Sequence, residues 1–305
     1  MKTVKESLKS AGFRNMDNVL LNEFQNACKD PYFKKLVTAL KMDPHVLMKY
    51  TSSLEDSAKE CRNCDGCKGL IECKNQVEGY RYLPKVKGEI LEFDYRACLF
   101  QEKRRREDLC LKNIETFGIS SDIRAAKMKD IYGDDKNRLP IMKWMNHFIK
   151  NYKKNPHQKG LYLHGSFGSG KSYLIAAMFH ELAKQNVKSA IVFWPEFLRE
   201  LKSSFGADFK DKFHIVQTAP LLLIDDIGAE STTVWGRDEI LCTILQYRMQ
   251  EKLPTFFTSN LDLSLLEAHL SVSKEKIDEV KARRIMKRIE QLTDTLELVS
   301  VNLRK

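Results

Sequence analysis

The residues with the clearest chemistry are Gly165-Ser166-Phe167-Gly168-Ser169-Gly170-Lys171-Ser172. They match G-x-x-x-x-G-K-[ST] at every fixed position. Gly165, Gly168 and Gly170, with Ser166 and Ser169 between them, let backbone amides turn toward a phosphate chain. A helix beginning at Ser172 adds its partial positive charge. Lys171 should reach the β and γ phosphates, and the Ser172 hydroxyl should ligate Mg²⁺. A second group is Leu221-Leu222-Leu223-Ile224-Asp225-Asp226. An apolar run ending in two carboxylates suits the metal side of a nucleotide site. We assign Asp225 to the Mg²⁺ shell and Asp226 to orienting or deprotonating water. Thr258-Ser259-Asn260 ends the next apolar run, and Asn260 can hold the attacking water there, although Asn after a strand is also an ordinary turn residue. Arg284 and Arg288, four apart, share a helix face. Two guanidinium forks on one face fit phosphate or a neighbouring subunit's nucleotide; the plainer reading is a basic helix surface.

Eight cysteines form the other chemical signal, four of them at 61, 64, 67 and 73. In a reducing compartment such a cluster reads as a metal site. Cys64-x2-Cys67 is a chelate pair, Cys98 supplies a third ligand and Cys73 a fourth, with Cys61 as the substitute. Four thiolates make a closed structural zinc site. An iron–sulfur cluster is the rival, because Cys61-x2-Cys64-x2-Cys67 begins like a ferredoxin run, but the next gap is longer and no Pro follows Cys73. Free thiols are the remaining alternative. Cys28 and Cys242 read as small buried apolar residues, Cys110 as idle, and His157, His164 and His180 as bystanders.

The elements that must position these groups follow from hydrophobic period. Strands are expected at 161–164, 190–194, 221–225, 255–259 and 296–301, with helices at 172–185, 195–205 and 236–251 between them. Apolar strands alternating with helices predict an α/β fold with a parallel sheet covered on both faces. Residues 1–60 carry helical spacing and read as a small bundle that doubles as a docking surface. Residues 61–103 form a cysteine-rich module with a strand at 89–95. The charge run Lys103-Arg104-Arg105-Arg106-Glu107-Asp108 opens a linker, 104–130, and the ATPase domain is expected over 131–305.

The chain has 305 residues, 43% of them hydrophobic and 30% charged, which excludes wholesale disorder and leaves room for two domains. No apolar run reaches the ~18 residues of a membrane span. The first residues hold no apolar signal core, so a cytoplasmic protein is expected. The formal charge of +10 is compatible with a nucleic-acid partner without requiring one. No aromatic stacking platform is evident, so backbone contact is the expected mode.

These four elements, in this order, resemble the AAA+ ATPases. Leu222–Glu230, Leu253–Asn260 and Trp194–Leu201 look like the bacterial replicative helicase loaders of the DnaI and DnaC type. The cysteine module and Glu78-Gly79-Tyr80 extend the resemblance toward DnaI. It implies ATP and single-stranded DNA binding by the C-terminal domain. It also implies a grip on the hexameric replicative helicase by residues 1–103, and self-association on that helicase. By the same analogy Asn260 is the first sensor, Arg288 or Arg284 the arginine finger, and Arg304 the second sensor. Three departures stand out. The second acid is Asp226 rather than Glu, which is usual for DnaI-like sequences and suggests slow hydrolysis. Only 45 residues follow Asn260, too few for a full helical lid. The family's zinc-site His is replaced by Arg81, which cannot ligate zinc. Two alternatives remain: a transposition helper of the IstB type, and an adaptor that binds nucleotide without turnover.

Overall fold

The computed structural model describes residues 16–133, 135–204, 206–272 and 277–303. Two packed units divide the chain, one up to Glu107 and one from Asp108. In the first, helices α1 (Met16–Ala27), α2 (Pro31–Leu40) and α3 (Thr51–Cys64) precede a hairpin of β1 (Tyr80–Lys87) and β2 (Ile90–Ala97). Asp30 caps α2 by accepting from the Tyr32 N–H, and Pro31 fills the first helical turn, where its missing N–H costs nothing. Phe24, Phe33, Leu47, Leu54, Ala58 and Leu91 meet in one core. β1 was not anticipated, because Pro84 argues against a strand; a two-stranded hairpin has only edge positions, where Pro is tolerated.

Helix α4 (Leu99–Lys112) carries the basic run and spans the division between the units. The stretch 104–130, expected as a linker, begins within this helix. It contains the end of α4 and strand β3 (Ile114–Phe117), which pairs with the next strand in the sheet. Its short apolar pattern, Ile114 and Phe117 around polar residues, is too brief for periodicity to reveal.

The second unit continues with α5 (Leu139–Tyr152), β4 (Gly160–Gly165), α6 (Lys171–Ala183), β5 (Ser189–Phe193), α7 (Trp194–Ser203) and α8 (Ala207–Thr218). Then follow β6 (Leu221–Asp225), a π-helical segment (Trp235–Leu241), α9 (Cys242–Gln250), β7 (Thr255–Ser259), α10 (Leu263–Ser271), α11 (Glu279–Leu292) and β8 (Thr293–Leu298). The six strands run in the order β3-β5-β6-β7-β4-β8, all parallel. Alternation sends Tyr162, Val192, Leu222, Ile224 and Phe257 to one core and Leu161, Leu163, Ile191, Leu223 and Phe256 to the other. The last strand begins three residues earlier than its apolar run suggested, and Val299 and Val301 lie exposed beyond it.

Two arginines tie this unit together. Arg248 is fully buried and donates to the carbonyls of Val216, Gln217, Ala219 and Pro254 and to the Thr255 hydroxyl. Burial lowers its pKa to about 9. Arg237, in the π segment, donates to Leu270 O at 3.0 Å and pairs with Asp238 at 2.7 Å. Among the described residues no helix is long and apolar enough to cross a membrane.

Candidate nucleotide and metal sites

Strand β4 ends at Gly165, the loop turns back, and α6 opens at Lys171. Two glycines are required by space. A Cβ on Gly165 would lie 2.1 Å from Leu298 O on the adjacent β8, and one on Gly168 would lie 1.9 Å from the Asn302 side chain. Both also hold positive φ, +136° and +69°, which favour glycine. The Lys171 ammonium donates to Gly165 O (3.0 Å), Ser166 O (2.8 Å) and Asn260 Oδ1 (2.9 Å). Asn260 in turn donates from Nδ2 to Asp226 Oδ1 at 3.2 Å. Residues 89 and 34 positions from Asn260 thus form one chain of contacts, because β7 lies between β4 and β6.

Thr258 ties the acidic pair. Its hydroxyl donates to Asp225 Oδ1 at 2.5 Å and accepts the Asp226 N–H at 2.9 Å. Asp226 takes φ +58°, a left-handed turn that Asp tolerates, and so leaves the strand direction at once. Asp225 is 4% exposed. Burial pushes its carboxyl well up and the Asp226 charge adds to that, while the Ser172 and Thr258 hydroxyls and Lys171 oppose it. An ionised Asp225 therefore favours a nearby cation, and Ser172 stands beside it with a hydroxyl.

The sequence reading quoted Thr258-Ser259-Asn260 but gave a role only to Asn260, which follows the strand, and none to Thr258 within it. It also missed Arg138, a buried residue before α5 whose guanidinium donates to Ser169 O at 2.7 Å. Arg284 and Arg288 lie on α11 but differ. Arg288 donates to Cys242 O at 3.2 Å and Cys242 Sγ at 2.6 Å, whereas Arg284 is exposed. Arg304 lies outside the described residues. His180 donates from Nε2 to Arg124 O, 2.7 Å away, and burial lowers its pKa.

In the first unit Cys64, Cys67, Cys73 and Cys98 line one cavity of about 150 Å³, together with Arg81 and Asn75. Cys61, one helical turn before Cys64 on α3, does not line it. Asn75 Nδ2 donates to Cys64 Sγ at 3.4 Å and the Gly79 N–H to Cys73 Sγ at 3.3 Å. Burial pushes the Cys61 and Cys64 thiols up. Among the described residues no three His, Cys, Asp or Glu side chains close into a metal-holding group.

No protein-family model matches the sequence. The chain is 36% identical over 265 residues to the replicative helicase loader DnaI of Bacillus subtilis (strain 168), covering 86% of this chain and 85% of that protein. A crystal structure of DnaI aligns at 44% identity with a TM-score of 0.56, over 66% of this chain and 100% of the solved one. Identity of that degree across most of both chains has one consequence: this protein belongs to the DnaI family of replicative helicase loaders.

Proposed function

We propose that the protein binds a hexameric replicative DNA helicase and places it on single-stranded DNA, under control of ATP binding and slow ATP hydrolysis in an AAA+ site. The observation that carries the nucleotide part is the contact chain Lys171–Asn260–Asp226 at the ends of three neighbouring strands. In this reading the loop amides and Lys171 bind the β and γ phosphates, with Lys171 exchanging its carbonyl partners for phosphate oxygens. Asp225 and Ser172 would hold Mg²⁺, which when bound neutralises charge on the β and γ oxygens. Asn260 orients the attacking water, and Asp226 accepts its proton. Arg284, exposed where Arg288 is engaged with Cys242, is the better candidate for completing a neighbouring copy's site. Changing Lys171 to Ala should abolish ATP binding by calorimetry; retained binding would overturn the site.

The first unit is the proposed helicase-binding part, held by one structural zinc ion on Cys64, Cys67, Cys73 and Cys98. Four thiols and no carboxylate suit zinc, and N–H groups directed at two of the sulfurs resemble the outer hydrogen bonds of such sites. Cys61 standing off the cavity speaks against a ferredoxin-like cluster built on the first three cysteines. Affinity capture with purified hexameric helicase, using the whole chain with ATP, tests the partner; failure to retain it would overturn the loader reading. The proposed location is the cytoplasm.

A further inference from the structure

The cavity framed by Cys64, Cys67, Cys73 and Cys98 carries a charge imbalance. On the zinc reading, four thiolates around one divalent ion leave two negative charges over. No carboxylate lines the cavity, and among the described residues that line it Arg81 is the only charged one. Asn75 and the Gly79 N–H donate to the sulfurs of Cys64 and Cys73, but both are neutral donors. They soften the charge without cancelling it; a cationic donor does both.

Arg81, the second residue of β1, is half-buried, and its charge is not spent elsewhere. Among the described residues no ion pair engages it, and its buried Nε has no hydrogen-bond partner. A buried N–H without an acceptor is costly. Across the hairpin, the residue directly opposite Arg81 is Arg96. Two like charges facing each other on one side of a hairpin repel, so the pairing is destabilising without an anion nearby. Thiolate sulfurs in the cavity relieve both costs. Arginine has N–H donors and no lone pair for a metal, so Arg81 acts on the sulfurs and not on the ion.

We propose that Arg81 is the charge-compensating residue of a four-thiolate zinc centre. Its guanidinium donates N–H bonds to the ligating sulfurs and draws off part of their negative charge. That holds the complex together and makes the sulfurs poorer nucleophiles toward electrophiles. The role rests on the zinc reading above.

The test compares the full chain, purified with zinc, with Arg81→Met, which keeps an apolar stem without the charge, and Arg81→Lys, which keeps the charge without the fork. Circular dichroism checks that each is folded; should Arg81→Met not fold, Arg81→Gln takes its place with the same expectations. Zinc affinity is read by competition with a chromophoric chelator. Zinc release is timed under N-ethylmaleimide, which forms an S–C bond as the Zn–S bond breaks. After exchange of zinc for Co²⁺, the sulfur-to-metal charge-transfer band is recorded. Arg81→Met should weaken zinc by about 10–100-fold and speed its release. The cobalt band should move to longer wavelength, because sulfur lone pairs relieved of a nearby cation lie higher in energy, and keep its intensity, because all four thiolates remain. Arg81→Lys should fall between the other two. Unchanged affinity and band position in Arg81→Met, or equal losses in the Met and Lys variants, overturns the role of Arg81 and leaves the zinc site standing. An unaltered chain that retains no zinc and gives no thiolate–cobalt band overturns the role of Arg81 and the zinc reading together.

Discussion

In the unit from Asp108 onward, polar groups are held by strand ends: Gly165, Asp225 and Ser259 each close a parallel strand, and the side chains beside them meet across the sheet. In the unit up to Glu107, the corresponding groups sit on a helix end, two loops and the exit of a hairpin, around a cavity. The first arrangement is rigid before any ligand arrives, because two apolar cores clamp both faces of the sheet. The second has a single core, and the four cysteines of the cavity lie outside it. Ligand should therefore act on chemistry in one unit and on folding in the other.

The sharpest break of that contrast is at the cysteines. Cys73→Ser should remove bound zinc entirely, as read by elemental analysis, and unfold the first unit while ATP still binds the second; Cys61→Ser should do neither. Zinc retained by the first variant would reassign the fourth ligand. Next comes Arg248→Met, which takes the guanidinium donor from the carbonyls of Val216, Gln217 and Ala219, while Pro254 O keeps the Leu222 N–H. It should cost the second unit about 3–5 kcal/mol in denaturant unfolding and leave any separate transition of the first unit unmoved. Asn260→Ala should lower ATP turnover about 100-fold, roughly 2.7 kcal/mol, with little change in ATP affinity. A larger loss of affinity than of turnover would make Asn260 a binding group only.

The smallest effect concerns Asp225 and has a definite sign. Its native pKa is raised by burial, so the folded state holds the proton more tightly than the unfolded chain. Stability of the nucleotide-free protein should then fall as pH rises from the ordinary carboxylate value, about 3.9, through the raised one. Asp225→Asn removes that cost and should stabilise the nucleotide-free protein near neutral pH by about 1 kcal/mol, while Mg²⁺-dependent nucleotide binding is lost.

How much of this was legible follows the same division. Gly165 to Ser172 could be read because phosphate binding by backbone amides demands a fixed spacing, and Asp225 because four large apolar residues in a row before an acid leave little choice but a buried strand. Strands β6 and β7 lie where their sequence put them, at 221–225 and 255–259. Arg138 was not legible, since its partner Ser169 O is a backbone atom and leaves no trace in residue type. The ranking of Arg284 against Arg288 was hidden for a similar reason: equal residues at helical spacing are told apart only by what α9 presents to them. Cys73 is chosen over Cys61 as the companion of Cys98 from spacing alone, whereas the β1–β2 hairpin that delivers Cys98 was only half legible, its first strand disguised by Pro84.

The π-helical segment Trp235–Leu241 carries a consequence for insertions and deletions. A wide turn of this kind holds one residue more than an α-helix needs for the same rise. Losing a single codon there would tighten the turn and keep the helix continuous into α9. The turns on either side would keep their facing, and only the side chains inside the segment would change direction. Arg237 would swing away from Leu270 O, releasing the end of α10, the helix that begins just after Asn260. Among lineages of this family, a one-codon difference at this segment would be an economical mutation for re-aiming the helix behind the nucleotide site.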